Sequence, residues 1–125
     1  MNHDTHLEAM RYVENARDFL RKAGKEGAYY SNPKYVKIAG NTLWNGVLLA
    51  LHARFPVQGR PNIDKNRERV GPTDKKKLKA LNACYELCYL SMGYDGHLKV
   101  STCQDAMELA IELIDWAAPE TAVAG

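Results

Sequence analysis

Ala39-Gly40-Asn41-Thr42-Leu43-Trp44-Asn45-Gly46-Val47-Leu48-Leu49-Ala50-Leu51 is the stretch that decides the fold. Together with Ala53 just beyond it, the small residues Ala39, Thr42, Gly46, Ala50 and Ala53 recur in steps of three and four. That spacing places them on one helical face, where a second helix can come close. Val36, Leu43, Val47 and Leu51 run along an adjacent strip. A helix that is apolar around so much of its circumference belongs at the centre of its domain. Gly40 and Gly46 each cost about 1 kcal/mol of helix propensity relative to alanine, and close helix packing is the simplest reason for their presence.

The limits of this helix are written in its flanks. Asn32-Pro33 reads as an N-cap followed by proline at the first helical position, and Pro56 ends the helix after Phe55. Toward the N-terminus, residues 25–30 form a connector, and Asp4 to Ala23 reads as the first helix. Thr5 and Glu8 are spaced as a capping box, and Gly24 supplies a left-handed stop. Leu7, Met10, Val13, Ala16, Phe19/Leu20 and Ala23 recur at three- and four-residue intervals and are expected to form its buried stripe.

Toward the C-terminus, a third helix is predicted from Thr73, capped by that hydroxyl, through Leu78, Leu81, Tyr85, Cys88 and Met92 to a stop at Gly93. Tyr94 to His97 reads as a turn. Ser101 and Gln104 are spaced as a second capping box, ahead of a fourth helix expected to bury Cys103, Met107 or Ala106, Ala110, Ile111, Leu113/Ile114 and Ala117 and to end at Pro119. Four amphipathic stretches without a strand pattern predict an all-α antiparallel four-helix bundle. It is expected to be a single domain over residues 1–119, with a loose tail over 120–125. Residues 56–72 hold Pro56, Gly59, Pro61, Gly71 and Pro72 and no sustained periodicity. They are expected to form a long basic loop between helices 2 and 3, and connections of that length tend to be either functional or mobile.

Composition narrows the function classes. A hydrophobic fraction of 46% with 26% charged residues is that of a folded globular domain. No stretch approaches the ~20 apolar residues of a membrane span, and residues 1–6 lack a basic region followed by an apolar one, so a cytoplasmic protein without membrane contact is expected. Cys84, Cys88 and Cys103 are odd in number and sit within predicted helices, where reduced thiols pack as small hydrophobes. Neither phosphate-loop motif is present, and no Cys/His set has metal-ligand spacing, so neither a metal nor a cofactor is expected. His3 and His6 are one turn apart, on a terminus expected to fray into solvent. No catalytic residues are assigned, and the reading leans away from an enzyme.

Two groups of residues remain as candidates. The formal charge of +2 conceals a segment, residues 54–79, with nine Lys and Arg against three acids, a net of +6. Arg60, Lys65, Arg67, Arg69, Lys75 and Lys76 are its candidate anion-binding residues, since clustered cations neutralise phosphates. No aromatic residue interleaves them to stack on a base, so nucleic acid is possible but not favoured. Tyr29, Tyr30, Tyr35, Tyr85 and Tyr89 are the candidate interface or groove, because tyrosine joins an apolar body to a polar tip.

The spacing Tyr12-x-x-x-Ala16-x-x-x-Leu20, the 39–51 run and the helix from Ala106 to Ala117 together resemble the layout of HEPN-type helical domains. That superfamily includes ribonuclease toxins, nucleotide-binding domains and inactive members. Active HEPN ribonucleases carry an Arg followed after four to six residues by His. Here the corresponding positions are Leu90, Ser91 and Met92 before His97, and Asn45, Gly46 and Val47 before His52. The resemblance therefore implies a helical layout without the nuclease. More narrowly, the chain looks like a small Bacteroidetes family known only as domains of unknown function. These readings converge on a non-catalytic helical interaction module that self-associates or binds a protein partner. The alternative is an anion- or nucleic-acid-binding protein acting through residues 60–79.

Overall fold

A computed structural model of the chain describes residues 3–118. The chain is predominantly helical. Helix α1 spans His3–Ala23, followed by a two-stranded antiparallel hairpin of β1 (Lys25–Glu26) and β2 (Tyr29–Tyr30). Helix α2 spans Pro33–Arg54, α3 Ile63–Thr73 and α4 Lys75–Cys84. A π-helical segment, Tyr85–Tyr94, continues α4 directly, and α5 spans Val100–Ala117.

Helix α2 is the hub. It packs on α1, on the π-segment and on α5, and it buries Val36, Ala39, Gly40, Leu43, Trp44, Gly46, Val47, Ala50 and Leu51. The small-residue face works as its spacing predicts. A Cβ at Gly46 would lie 3.0 Å from Tyr12 Cβ and 3.2 Å from the Ala9 carbonyl oxygen, so α1 is in near-backbone contact there. At Gly40 the approach is closer still. A Cβ would meet the Cys88 carbonyl oxygen and Met92 Cβ at 2.5 Å and the Gly93 nitrogen at 2.6 Å. Only a residue without a side chain lets α2 cross the π-segment at this distance. Asn41 locks the crossing, its Nδ2 donating to the Gly93 carbonyl at 3.2 Å and to the Lys37 carbonyl at 3.0 Å.

Asn32 caps α2 as read, its side chain accepting from the Lys34 N–H, and Gly24 takes the left-handed conformation at φ 69°. The main correction concerns the expected basic loop. Residues 63–73 are helical, because Asn62 Oδ1 caps the Lys65 N–H at 2.9 Å and Asn66 and Val70 turn inward. With Ile63 half-buried, the inward positions are i, i+3 and i+7, a helical stripe obscured by a polar asparagine at its centre. The irregular connection is confined to residues 55–62.

Four terminus assignments also change. Asp74, rather than Thr73, caps α4, accepting from the Lys76 and Lys77 N–H groups, while Thr73 Oγ1 donates back to the Arg69 carbonyl. Gly93 lies inside the π-segment; the left-handed glycine is Gly96, at φ 66°. Helix α5 begins at Val100 without a side-chain cap, so Ser101 is already helical and the second capping box does not form. In α1 the helix begins at His3, ahead of the capping position read at Thr5. His6 is not in solvent: its Nε2 meets Asp115 Oδ1 at 2.9 Å, tying α1 to α5, with only 14% of the side chain exposed. The expected tail over 120–125 lies outside the described residues.

A candidate aromatic groove beside the basic helix

The site is built on α2. Trp44 lies one turn before Leu48 on the same side of that helix, and its ring is held 95% buried against the π-segment. Tyr85 meets it edge-on, with ring centroids 5.3 Å apart at 66°. Tyr89 stacks on Tyr85 at 5.3 Å and 15°, and lies 6.3 Å from Trp44. Residues four apart lie beside one another on a helical surface. The same register sets Cys84 Sγ and Cys88 Sγ 3.7 Å apart on the inner side. The four-residue spacing therefore pairs both the outer rings and the inner thiols.

These rings floor a groove of about 400 Å³. Its opposite wall is the start of α3 and the residues before it, namely Arg60, Pro61, Asn62 and Ile63. The Arg67 guanidinium carbon lies 5.7 Å from the Tyr85 ring centroid, within cation–π range. Its Nε donates to Asn82 Oδ1 at 2.7 Å and its Nη1 reaches Asp64 at 3.3 Å, which fixes the guanidinium over the ring.

The sequence candidates divide accordingly. Tyr85, Tyr89 and Arg60 line the groove, and Arg67 stands beside it against the Tyr85 ring. Lys65 serves a structural purpose instead: its Nζ donates to the Gln58 and Arg60 carbonyls at 2.7 and 3.1 Å, pinning the connection that forms the wall. Arg69 faces a separate cleft with Lys65 and Glu68, and Lys75 and Lys76 are exposed at the start of α4. Tyr29, Tyr30 and Tyr35 do not join the groove. Tyr29 is 55% exposed and Tyr30 is buried in the hairpin, where its N–H donates to the Leu98 carbonyl. Tyr35 is half-buried beside Lys34.

Trp44 is the central residue that sequence reasoning left out of the site. Its signal was its spacing to Leu48 within an otherwise aliphatic helix, and nothing local showed that Tyr85 would meet it.

The three thiols are free and buried. The neighbouring Cys84 thiol and burial together push Cys88 well above the usual thiol range, and burial alone pushes Cys103 up to about 11. Neutral thiols of this kind are packing groups, not nucleophiles. Burial, and to a lesser degree Cys103, also raises Tyr30. Among the described residues, no three His, Cys, Asp or Glu side chains converge as metal ligands, and no helix is long and apolar enough to cross a membrane.

The chain belongs to the family described as Domain of unknown function (DUF5618), whose model matches residues 4–119. It is similar in structure to a protein of unknown function from Dyadobacter fermentans, with 37% sequence identity and a TM-score of 0.88, covering 94% of this chain and 96% of that one. No curated protein matches it.

Proposed function

We propose that this domain is a non-catalytic helical interaction module that self-associates through the face carrying the Trp44–Tyr85–Tyr89 groove. Its four long helical rods would form an antiparallel bundle of the HEPN-like kind, with α3 added at the side. The observation that carries the proposal is the continuity of the groove with exposed apolar residues on the same segment: Tyr89 is 39% exposed, Leu90 37% and Tyr94 75%. Aromatic groups at the centre and polar groups at the rim are the usual make-up of a protein interface, and clustered exposed apolar side chains mark such surfaces.

The test is oligomeric state by light scattering and sedimentation. Wild type is expected to form a dimer that Tyr89→Arg, an exposed change, converts to monomer without loss of helicity. A wild type that stays monomeric at all accessible concentrations would count against self-association.

A second reading is favoured by one specific observation: Arg67 over the Tyr85 ring supplies, in three dimensions, the aromatic partner that the basic segment lacks in sequence. Stacked Tyr85 and Tyr89 beside Arg60 and Arg67 are suited to single-stranded nucleic acid, where base stacking combines with phosphate contacts. That reading requires oligonucleotide affinity that falls steeply with salt and is lost in an Arg60→Ala/Arg67→Ala double variant.

A further inference from the structure

Independent of the aromatic groove, a second cleft of about 250 Å³ opens between α1, the hairpin and α5. We propose that it is a binding site for a small organic monocarboxylate with an apolar body. Leu20, Tyr30 and Cys103 are buried along its floor, and Met107 flanks them. This surface suits a single ring or a short branched chain, and the volume lies below that of sites for drug-sized ligands.

The charge at the mouth selects the other end of the ligand. Arg17 and Arg21 approach from α1 and Lys25 from β1. Arg17 pairs with Glu14 at 3.1 Å and Arg21 pairs with Asp18, both acids lying one turn back on the same helix. Lys25 makes no ion pair among the described residues; its Nζ stands 5.9 Å from the centroid of the Tyr30 ring. Three cations against two carboxylates leave a single positive charge, which one carboxylate balances.

One donor already faces a residue of the cleft. Arg17 Nε donates to Met107 Sδ at 3.3 Å. A thioether is a weak acceptor, so a ligand carboxylate reaching that N–H exchanges a poor partner for a charge-assisted one. Gln104 adds an amide at the same rim. Binding is reversible and non-covalent, since the Cys103 thiol beneath is neutral and donates to the His97 carbonyl at 3.7 Å.

The experiment uses the full chain with phenylacetate and isovalerate as probes, phenylacetamide as the neutral isostere and phenyl phosphate as the more highly charged one, followed by ligand-observed NMR and titration calorimetry. Saturable binding of the monocarboxylates is expected, with roughly tenfold or greater weakening for the amide and for Lys25→Glu. Met107→Trp, which fills the cleft, is expected to abolish binding. Lys25 is exposed on the hairpin, so that variant decides the matter even if Met107→Trp folds poorly. Absence of saturable binding by either monocarboxylate, unchanged affinity in Lys25→Glu, or tighter binding of phenyl phosphate would each overturn the assignment.

Discussion

Replacing Gly40 with alanine adds one methyl group where α2 crosses the π-segment. That carbon would sit 2.5 Å from the Cys88 carbonyl oxygen and from Met92 Cβ, and 2.6 Å from the Gly93 nitrogen, whereas ordinary contacts fall at 3.4–4 Å. The two elements must therefore separate by about 1 Å, and two of the three obstructing atoms are backbone that no rotamer change can move. Such a shift carries the Asn41 Nδ2 to Gly93 carbonyl bond, already 3.2 Å, beyond hydrogen-bond range.

Overpacking typically costs ~1–3 kcal/mol, and the rigid neighbours put this case at the upper end. Removing a helical glycine returns up to ~1 kcal/mol. The net expectation is a loss of about 2 kcal/mol, or roughly 5–10 °C in Tm for a domain of this size. Thermal and urea unfolding followed by far-ultraviolet circular dichroism measures it. Gly71→Ala is the paired control: it is helical, its added carbon would meet only Leu78 Cδ2 at 3.4 Å, and it is expected to stabilise by a few tenths of a kcal/mol or more. If Gly40→Ala matched wild type, or if the two substitutions shifted stability in the same direction, the close-crossing argument would be refuted.

Gly46→Leu faces the same limit against α1, with Tyr12 Cβ and the Ala9 carbonyl at 3.0 and 3.2 Å, and should destabilise by ~2–3 kcal/mol in the same unfolding assay. Asp74→Ala removes two capping bonds and is expected to cost ~1 kcal/mol, with Thr73→Ala costing less; the reverse ranking would restore Thr73 as the cap. Lys65→Met should leave the helices intact but increase amide exchange across residues 55–62, since both carbonyl partners of Nζ lie in that connection. Burial raises the Cys103 thiol from 9.0 to about 11, so its contribution to stability is full below the unfolded value and is lost as pH rises through that window. Cys103→Ala should accordingly flatten the alkaline fall in stability between pH 9 and 11, measured by urea titration at each pH.

Much of the fold was legible because its signals are local. The steps of three and four from Ala39 to Ala53, the Asn32-Pro33 entry and the Gly24 stop each depend on a few adjacent residues, and all three hold. Helix α3 was missed because its inward stripe passes through Asn66, which is 99% buried and whose Nδ2 is satisfied by the Asn62 carbonyl. The Asn66 Oδ1 finds no hydrogen-bond partner among the described residues, and a buried asparagine of this kind looks like solvent-facing sequence. Thr73 and Asp74 are both competent caps, and spacing alone does not choose between them. The groove is half-legible for a different reason. Tyr85 and Tyr89 are neighbours along the chain, but Trp44 and Arg67 reach them only through packing, and the absence of aromatics among the basic residues is a property of the sequence order, not of the surface.

The π-segment carries a consequence for length as well as for shape. A helix bonded i to i+5 holds more residues over the same span than one bonded i to i+4, so the stretch from Tyr85 to Tyr94 contains slack that an ordinary helix would not. Deleting a single residue there is the shortest mutational route back to α-helical pitch. Each residue of register is about 100° of rotation, so the deletion would swing everything on its far side away from its present neighbours. Met92 would leave the core and Gly93 would leave its crossing with Gly40. Substitution and deletion should therefore have opposite profiles across this stretch: side chains on its outer surface are replaceable, but the number of residues is not.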